Sequence, residues 1–241
     1  MGNKTVILIP SRYGSTRLNA KALIKVGGKT IIQWVWEKAK SAKLADDVII
    51  ATDHEDIFNE ARSFGANVEM TAVDHKSGSD RIAEVTKRHP EFEYIINLQG
   101  DEPMMTPESI DAVINAVKTT GADISTLIRP LKTEEEINDP NVVKCVIDKN
   151  NFALYFSRSK IPYERNETDC TFYGHMGIYG YKRKALFEMT ELPMSPLEKT
   201  ESLEQLRALQ AGMKIVTSIV EYSPIGIDTQ ADVDRFAATI R

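Results

Sequence analysis

The sequence predicts an α/β protein with a mostly parallel, doubly wound sheet. Continuous apolar runs of strand length alternate with amphipathic helical segments, and glycine, proline or acidic residues punctuate the run ends. Strands buried on both faces and joined by helical crossovers produce this pattern. Thr5–Ile9 (TVILI) is β-branched and bounded by Pro10, which makes it the first strand. Ile31, Ile32, Val35, Trp36, Ala39 and Ala42 recur at helical spacing and form one face of a helix of about three turns. Val48–Ala51 (VIIA) is the next strand, followed by a helix from about Glu55 to Phe64 that stops at Gly65. Val68–Met70 is a short strand, Asp80–Arg88 is helical, and Tyr94–Leu98 (YIINL) is a buried strand ending before Gly100. Pro107 takes the first position of a helix whose buried stripe is Ile110, Val113, Ile114 and Val117.

The second half reads as strands at Ser125–Pro130, Val142–Asp148, Ala153–Phe156 and Tyr173–Tyr181. A long helix within Pro196–Gly212 and a strand at Lys214–Val220 follow. No flexible linker, repeat or low-complexity tract divides the chain. The expected organisation is a single domain, 1–241: a core of about 1–125 and 213–241 carrying a mixed-sheet insertion of about 126–212 that closes a site or forms a dimer surface.

Composition excludes several classes. The 241 residues are 42% hydrophobic and 27% charged, so disordered and fibrous classes drop out, and no apolar run is long enough to span a bilayer. A net charge of −5 lacks the basic footprint of a nucleic-acid or membrane-surface binder. The N-terminal apolar stretch is too short for a secretory signal, and Val6 breaks the myristoylation pattern, so a cytoplasmic protein is expected. Cys145 and Cys170, far apart and in no metal-ligand spacing, are expected to be reduced thiols.

Open α/β sheets bind ligands beyond the carboxyl ends of their strands, which directs attention to residues 11–21, Thr52–Asp53 and Gln99–Pro103. The first segment, SRYGSTRLNAK, gathers Arg12, Arg17 and Lys21 with Gly14, Ser15 and Thr16. It offers cations, hydroxyls and backbone N–H groups to a polyphosphate; the plainer alternative is a solvated basic loop. It is neither a dinucleotide fingerprint nor a Walker A loop, because Leu23 stands where the latter needs glycine ahead of Gly28-Lys29-Thr30. LQGDEP (98–103) places Asp101 and Glu102 at a strand end. That suits a hard cation such as Mg²⁺, with Asp101 as ligand and Glu102 in support, or else a capping turn before Pro107. In GIDT (226–229), Asp228 either caps a helix starting near Gln230 or supplies a second carboxylate to the same metal. Glu198, Glu201 and Glu204 recur every three residues, as on the acidic face of one helix, and His175 has no companion at metal spacing.

Taken in order, several segments resemble the 3-deoxy-manno-octulosonate (Kdo) cytidylyltransferase family. They are IPSRYGSTRL with Lys21, HKSGSDRI (75–82), NLQGDEP, NVVK (141–144), ALYFSRSKIPY (153–163), HMGIYGY (175–181), Leu197-Glu198 with ESLEQLRAL (201–209), and GIDT. The resemblance implies a glycosyltransferase-A-like (Rossmann-like) α/β fold and a Mg²⁺-dependent, cytoplasmic, homodimeric enzyme. Its reaction converts CTP and Kdo to CMP-Kdo and pyrophosphate for lipopolysaccharide assembly. It also implies that Arg12, Ser15, Arg17 and Lys21 hold the CTP phosphates and that Ser77, Gly78 and Arg81 lie near the cytosine and ribose. Asp101 and Asp228 hold Mg²⁺ and, with Lys21, form the catalytic set; Gln99, Arg158, Arg165, His175, Tyr179, Glu201 and Gln205 line the sugar pocket. Arg158 and Arg165 suit bidentate recognition of the sugar carboxylate.

The chain departs from the family at two places. Asn19-Ala20 replaces a Pro-Gly before the lysine, which alters the loop's allowed backbone angles. Gly174 replaces a basic residue, which is expected to leave room in the sugar pocket for an amino-substituted Kdo. Competing readings are a cytidylyltransferase for 8-amino-Kdo or a sialic acid, and a non-catalytic nucleotide-sugar binding protein.

Overall fold

A computed structural model of the chain describes residues 3–14, 18, 20–166, 169–222 and 226–240. Ser15, Thr16, Arg17 and Asn19 of the expected phosphate loop lie outside the described residues. Along the chain, β1 (Lys4–Ser11) leads to a small hairpin of β2 (Lys25–Val26) and β3 (Lys29–Thr30), then α1 (Ile31–Lys40), β4 (Asp47–Thr52), α2 (Glu55–Ser63) and β5 (Asn67–Met70). Next come α3 (Gly78–Arg88), β6 (Phe92–Asn97), α4 (Pro107–Thr119), β7 (Ile124–Pro130), α5 (Glu134–Asn138), β8 (Lys144–Ile147) and β9 (Ala153–Ser157). The chain closes with β10 (Tyr173–Lys182), α6 (Arg183–Glu191), α7 (Pro196–Glu201), α8 (Gln205–Gln210), β11 (Ile215–Ile219) and α9 (Gln230–Thr239).

β1 is buried from Thr5 onward and lies between β4 and β6, parallel to both. Its side chains divide between two cores, as strand geometry demands. Ile7 and Ile9 pack with α1, α2, α4 and α9 on one face, and Val6 and Leu8 with α3, α6 and α8 on the other. The main sheet runs β11-β7-β10-β6-β1-β4-β5, with β8 paired to β10 and β9 to β8, nine strands in all. β10 runs antiparallel to β6, β7 and β8, so the strands expected in the insertion are hydrogen-bonded into the same sheet as the core. Among the described residues no helix is long and apolar enough to cross a membrane.

Three local readings are corrected. The single helix expected within Pro196–Gly212 is two short ones, α7 and α8, broken at Ser202 with φ 53°. The Glu201 carbonyl, which would continue a helix, is instead taken by Arg158 Nε at 2.7 Å. The cap of α9 is Thr229, whose hydroxyl accepts from Asp232 N, and not Asp228. The expected room above Gly174 is absent from the sugar side: a Cβ there would meet Leu131 at 2.6 Å and Val142 at 3.3 Å, in a small apolar cluster. Alternation along β10 sends His175 the other way, between the rings of Phe156 and Tyr179. α6, not expected from the sequence, buries Ala185, Leu186 and Met189.

Register shifts between Met176 and Tyr179 of β10, where Thr126 Oγ1 donates to the Ile178 carbonyl at 2.7 Å and faces His175 Nε2 at 3.0 Å. With the hydroxyl proton so engaged, Nε2 is the donor nitrogen of a neutral ring. Burial pulls the His175 pKa down to about 3. Only the unfolded chain then gains a proton as pH falls below 6.5, so stability declines with acidification in that window. The stability of the natural chain should drop by about 1–2 kcal/mol from this group between pH 6.5 and 5, and His175→Gln should remove that slope in urea melts. An unchanged slope in the variant would contradict the burial of a neutral ring.

Ala20, where the family carries glycine, sits in the left-handed region at φ 51°. A Cβ there costs about 1 kcal/mol. Ala20→Gly should therefore raise the melting temperature by about 2–4 °C, and an unchanged or lower Tm would contradict the strain.

Candidate active site

Eight of the sequence-selected residues line one cleft of about 320 Å³ at the carboxyl edge of β1 and β6: Arg12, Lys21, Ser77, Gly78, Arg81, Gln99, Asp101 and Asp228. Strand β1 ends at Ser11 and delivers Arg12, while β6 ends at Asn97 and delivers Gln99 and Asp101. Gly100 permits the two strand ends to approach, since a Cβ there would lie 2.9 Å from the Pro10 carbonyl oxygen. The Asp101 carbonyl accepts from Ile227 N at 2.9 Å, and Asp228 N donates to Asp232 Oδ2 at 3.0 Å. The first bond holds the GIDT segment against the end of β6, and the second ties it to the start of α9.

At the floor, Lys21 Nζ donates to Asp101 Oδ2 at 2.6 Å and to Asp228 Oδ1 at 3.1 Å. Burial opposes the ammonium's charge, but the two carboxylates outweigh it and hold the Lys21 pKa above the usual lysine value. Glu102 lies beside them, half-buried, with an enclosed Oε2 that has no hydrogen-bond partner among the described residues. Burial, then the charges of Asp101 and Asp228, push its pKa up to about 8. Two carboxylates converging on one cation, with an orphaned carboxyl oxygen beside them, fit a hard divalent ion held partly by protein and partly by ligand phosphates. Among the described residues no cluster of three or more His, Cys, Asp or Glu could hold a metal by itself.

Along the wall formed by α3, Ser77 caps the helix in a reciprocal capping box with Asp80, which leaves Gly78 at the cleft wall. Arg81 is only 3% exposed; its guanidinium pairs with Asp53 Oδ2 at 2.8 Å and bonds Thr71 Oγ1. Asp53 Oδ1 accepts from Tyr13 N at 3.0 Å, and Tyr13 stacks on His54 at 3.7 Å. The end of β4 thus anchors the loop that carries Arg12.

Of the residues expected around a sugar, the structure places His175 against Tyr179 (centroids 5.4 Å apart) and pairs Tyr179 with Asn97 across β10 and β6. Gln99 Nε2 donates to Asn97 Oδ1 at 3.3 Å, joining this group to the cleft. Gln205 is buried, with an Nε2 lacking a partner among the described residues, a donor awaiting an acceptor. Glu201 is tied up locally: Ser157 Oγ and Arg158 N both donate to its carboxylate, at 2.6 and 2.9 Å. Arg158 is anchored by carbonyls of Glu201, Pro140 and Ser202. Arg165 is exposed and forms no ion pair among the described residues. Ser15 and Arg17 lie outside them.

In the sequence Glu204 looks like part of one acidic face with Glu198 and Glu201; the break between α7 and α8 turns it inward. It is enclosed, accepts from Ser79 Oγ at 3.0 Å, and has its pKa raised by burial. Tyr181 joins the same group through Ser79 and Asn97. Ser77 and Glu204 also border a second, adjacent cleft of about 710 Å³. Cys145 is buried, with burial pushing its thiol up to about 12, and Cys170 is exposed; both are free.

The profile of the family described as Cytidylyltransferase matches residues 6–215. A 3-deoxy-manno-octulosonate cytidylyltransferase of Fusobacterium nucleatum subsp. nucleatum is 45% identical over 229 residues, covering 95% of this chain and 93% of its own. That of Thermodesulfovibrio yellowstonii is 45% identical over 243 residues, with 95% of each chain covered. A solved structure of CMP:2-keto-3-deoxy-manno-octonic acid synthetase complexed with CTP superposes with a TM-score of 0.94 at 39% identity over 98% of both chains. A cytidylyltransferase from Leptospira borgpetersenii, 18% identical with a TM-score of 0.66 over 98% of this chain and 86% of that one, shares the fold. With its nearly full-length identity to these relatives and its carboxylate-lined cleft at the ends of β1 and β6, the chain belongs to the 3-deoxy-manno-octulosonate cytidylyltransferase (CMP-Kdo synthetase) family.

Proposed function

We propose that this chain transfers the cytidylyl group of CTP to Kdo, giving CMP-Kdo and pyrophosphate, as a Mg²⁺-dependent, cytoplasmic, homodimeric enzyme serving lipopolysaccharide assembly. The observation that carries this reading is the convergence of Asp101, Asp228 and Lys21 at the floor of a cleft that Arg12, Ser77, Gly78 and Arg81 also line. The CTP in the related solved structure and the names of the relatives support the two substrates. Leu154, Tyr163, Met194 and Leu197, exposed apolar side chains within residues 126–212, support the dimer.

Arg12 and Lys21, with Ser15 and Arg17, bind the triphosphate, and the start of α3 with Arg81 receives the nucleoside. Gln99, Tyr179, His175, Gln205 and the Arg158 guanidinium orient the sugar. The neutral His175 ring adds no charge to the pocket, so recognition of the sugar carboxylate falls to arginine. The anomeric hydroxyl, held in line, forms the new P–O bond at the α-phosphorus and releases its proton to solvent as the α–β bridging P–O bond breaks and pyrophosphate departs with its electron pair. Reactions of this type are chiefly positioning and charge neutralisation. Mg²⁺, held by Asp101 and Asp228, would supply neutralisation at the phosphates and acidify the attacking hydroxyl. Before substrate arrives, the Lys21 ammonium compensates the two carboxylates and keeps them together.

The reading is tested by CTP-dependent pyrophosphate release with Kdo, 8-amino-Kdo and a sialic acid, each with and without Mg²⁺. Kdo is expected to support the highest kcat/KM, and removal of Mg²⁺ to abolish release. The reason to favour an amino-substituted sugar weakens, because Gly174 faces Leu131 and not the sugar-side residues. Asp101→Ala should lose about 100-fold or more in kcat while still binding CTP. Turnover without Mg²⁺, preference for another acid sugar, or near-normal kcat in Asp101→Ala would each overturn the corresponding part.

A further inference from the structure

The NVVK segment ends in Lys144, a residue with no part in the reaction above and with 0% exposure. A lysine is almost never fully buried unless it is paired, because its charge loses water. Among the described residues no carboxylate lies at hydrogen-bond distance of the ammonium. Its partners are two main-chain oxygens of the turn between α5 and β8: Nζ donates to the Asp139 carbonyl at 2.7 Å and the Val142 carbonyl at 2.6 Å. The same turn is pinned by Asn141 N donating to Asp139 Oδ1 at 2.8 Å and Val142 N to the Asp139 carbonyl at 3.1 Å.

A third carbonyl of the turn, that of Pro140, accepts from Arg158 Nη1 at 3.0 Å. Arg158 Nε donates to the Glu201 carbonyl at 2.7 Å and Nη2 to that of Ser202 at 3.4 Å. A guanidinium carries five N–H groups, so three anchored ones leave two for a ligand, in an orientation the turn helps to fix. Sheet register reinforces the link. Lys144 pairs with Ser157, the residue before Arg158, on one side and with Gly174, the residue before His175, on the other.

We propose that Lys144 is a positioning residue for the acid-sugar site: its ammonium locks the 139–142 turn so that the Pro140 carbonyl holds Arg158 ready for the sugar carboxylate. The inference rests on the reading of Arg158 as a sugar-binding residue. Burial lowers the Lys144 pKa without any direct ion pair, so the lysine is retained at an electrostatic cost that apolar packing alone would not require. Lys144 acts on geometry and not on charge at the reacting atoms, so its loss should weaken sugar binding and spare CTP.

The test is steady-state kinetics of Lys144→Met, Arg158→Ala and the double variant, with CTP and Kdo varied separately. Lys144→Met is expected to raise the Kdo KM about tenfold, with the CTP KM unchanged within about twofold. Added to Arg158→Ala, it should produce no further rise, because coupled residues are non-additive. Lys144→Gln, which keeps N–H donors for the turn, should recover part of the Kdo KM and serves in place of Lys144→Met if that variant does not fold. An unchanged Kdo KM in the Lys144 variants while Arg158→Ala raises it would overturn this proposal and leave the sugar reading standing. A fully additive double variant, or equal losses for CTP and Kdo, would also overturn it. An unaffected Kdo KM in Arg158→Ala would remove the sugar reading of Arg158 itself, and the proposal with it.

Discussion

The site depends on bringing two carboxylates from distant parts of the chain to a single cation. Asp101 is 80 residues from Lys21 and Asp228 is 207 residues from it, yet both bond the same ammonium. Left alone, two carboxylates so close would repel each other and raise one another's proton affinity. Glu102, the third carboxyl of the group, is pushed up to about 8, first by burial and then by its two anionic neighbours. Lys21 resolves the conflict for the other two.

The fold is arranged to keep that meeting in place. β1 lies inside the sheet, parallel to β6 and beside it, so the loops leaving both strands emerge side by side. Gly100 lets them close to backbone contact. The last helix is docked by the capping box of Thr229 and Asp232, and the Asp232 carboxylate, also bonded by Arg235, is driven down to about 2 and so stays charged at neutral pH. A net charge of −5 is thereby compatible with a polyanionic substrate. Arg12, Lys21 and Arg81 share one cleft, but Lys21 faces Asp101 and Asp228 and Arg81 faces Asp53, so the excess positive charge there would come from Arg12 and a bound divalent cation.

Sequence patterns revealed those parts of the structure whose causes are local. β1, β4 and β6 are continuous apolar runs because both faces are buried, and Pro107 marks the start of α4, capped by Thr106. Lys21, Asp101 and Asp228 could be selected because each stands in a short segment at the end of a predicted element. What depends on partners elsewhere in the chain was not legible. The antiparallel placement of β10 follows from pairing with β6 and β7, and nothing within Tyr173–Lys182 encodes it. The break between α7 and α8 follows from Arg158 capturing the Glu201 carbonyl, so Glu204 emerged as an enclosed polar residue only in three dimensions. The consequence of Gly174 failed for a related reason, since strand alternation could not say which face of β10 the sugar side would be.

The most direct test of the central claim is calorimetric binding of CTP with Mg²⁺ to the natural chain, Asp101→Asn, Asp228→Asn and the double variant. If one divalent ion is shared by both carboxylates, each single substitution should weaken Mg²⁺-dependent binding, and the double variant should be little worse than either single one, because residues serving one ion are non-additive. Losses that simply add, or Mg²⁺-dependent binding that survives both substitutions, would contradict a shared cation between Asp101 and Asp228.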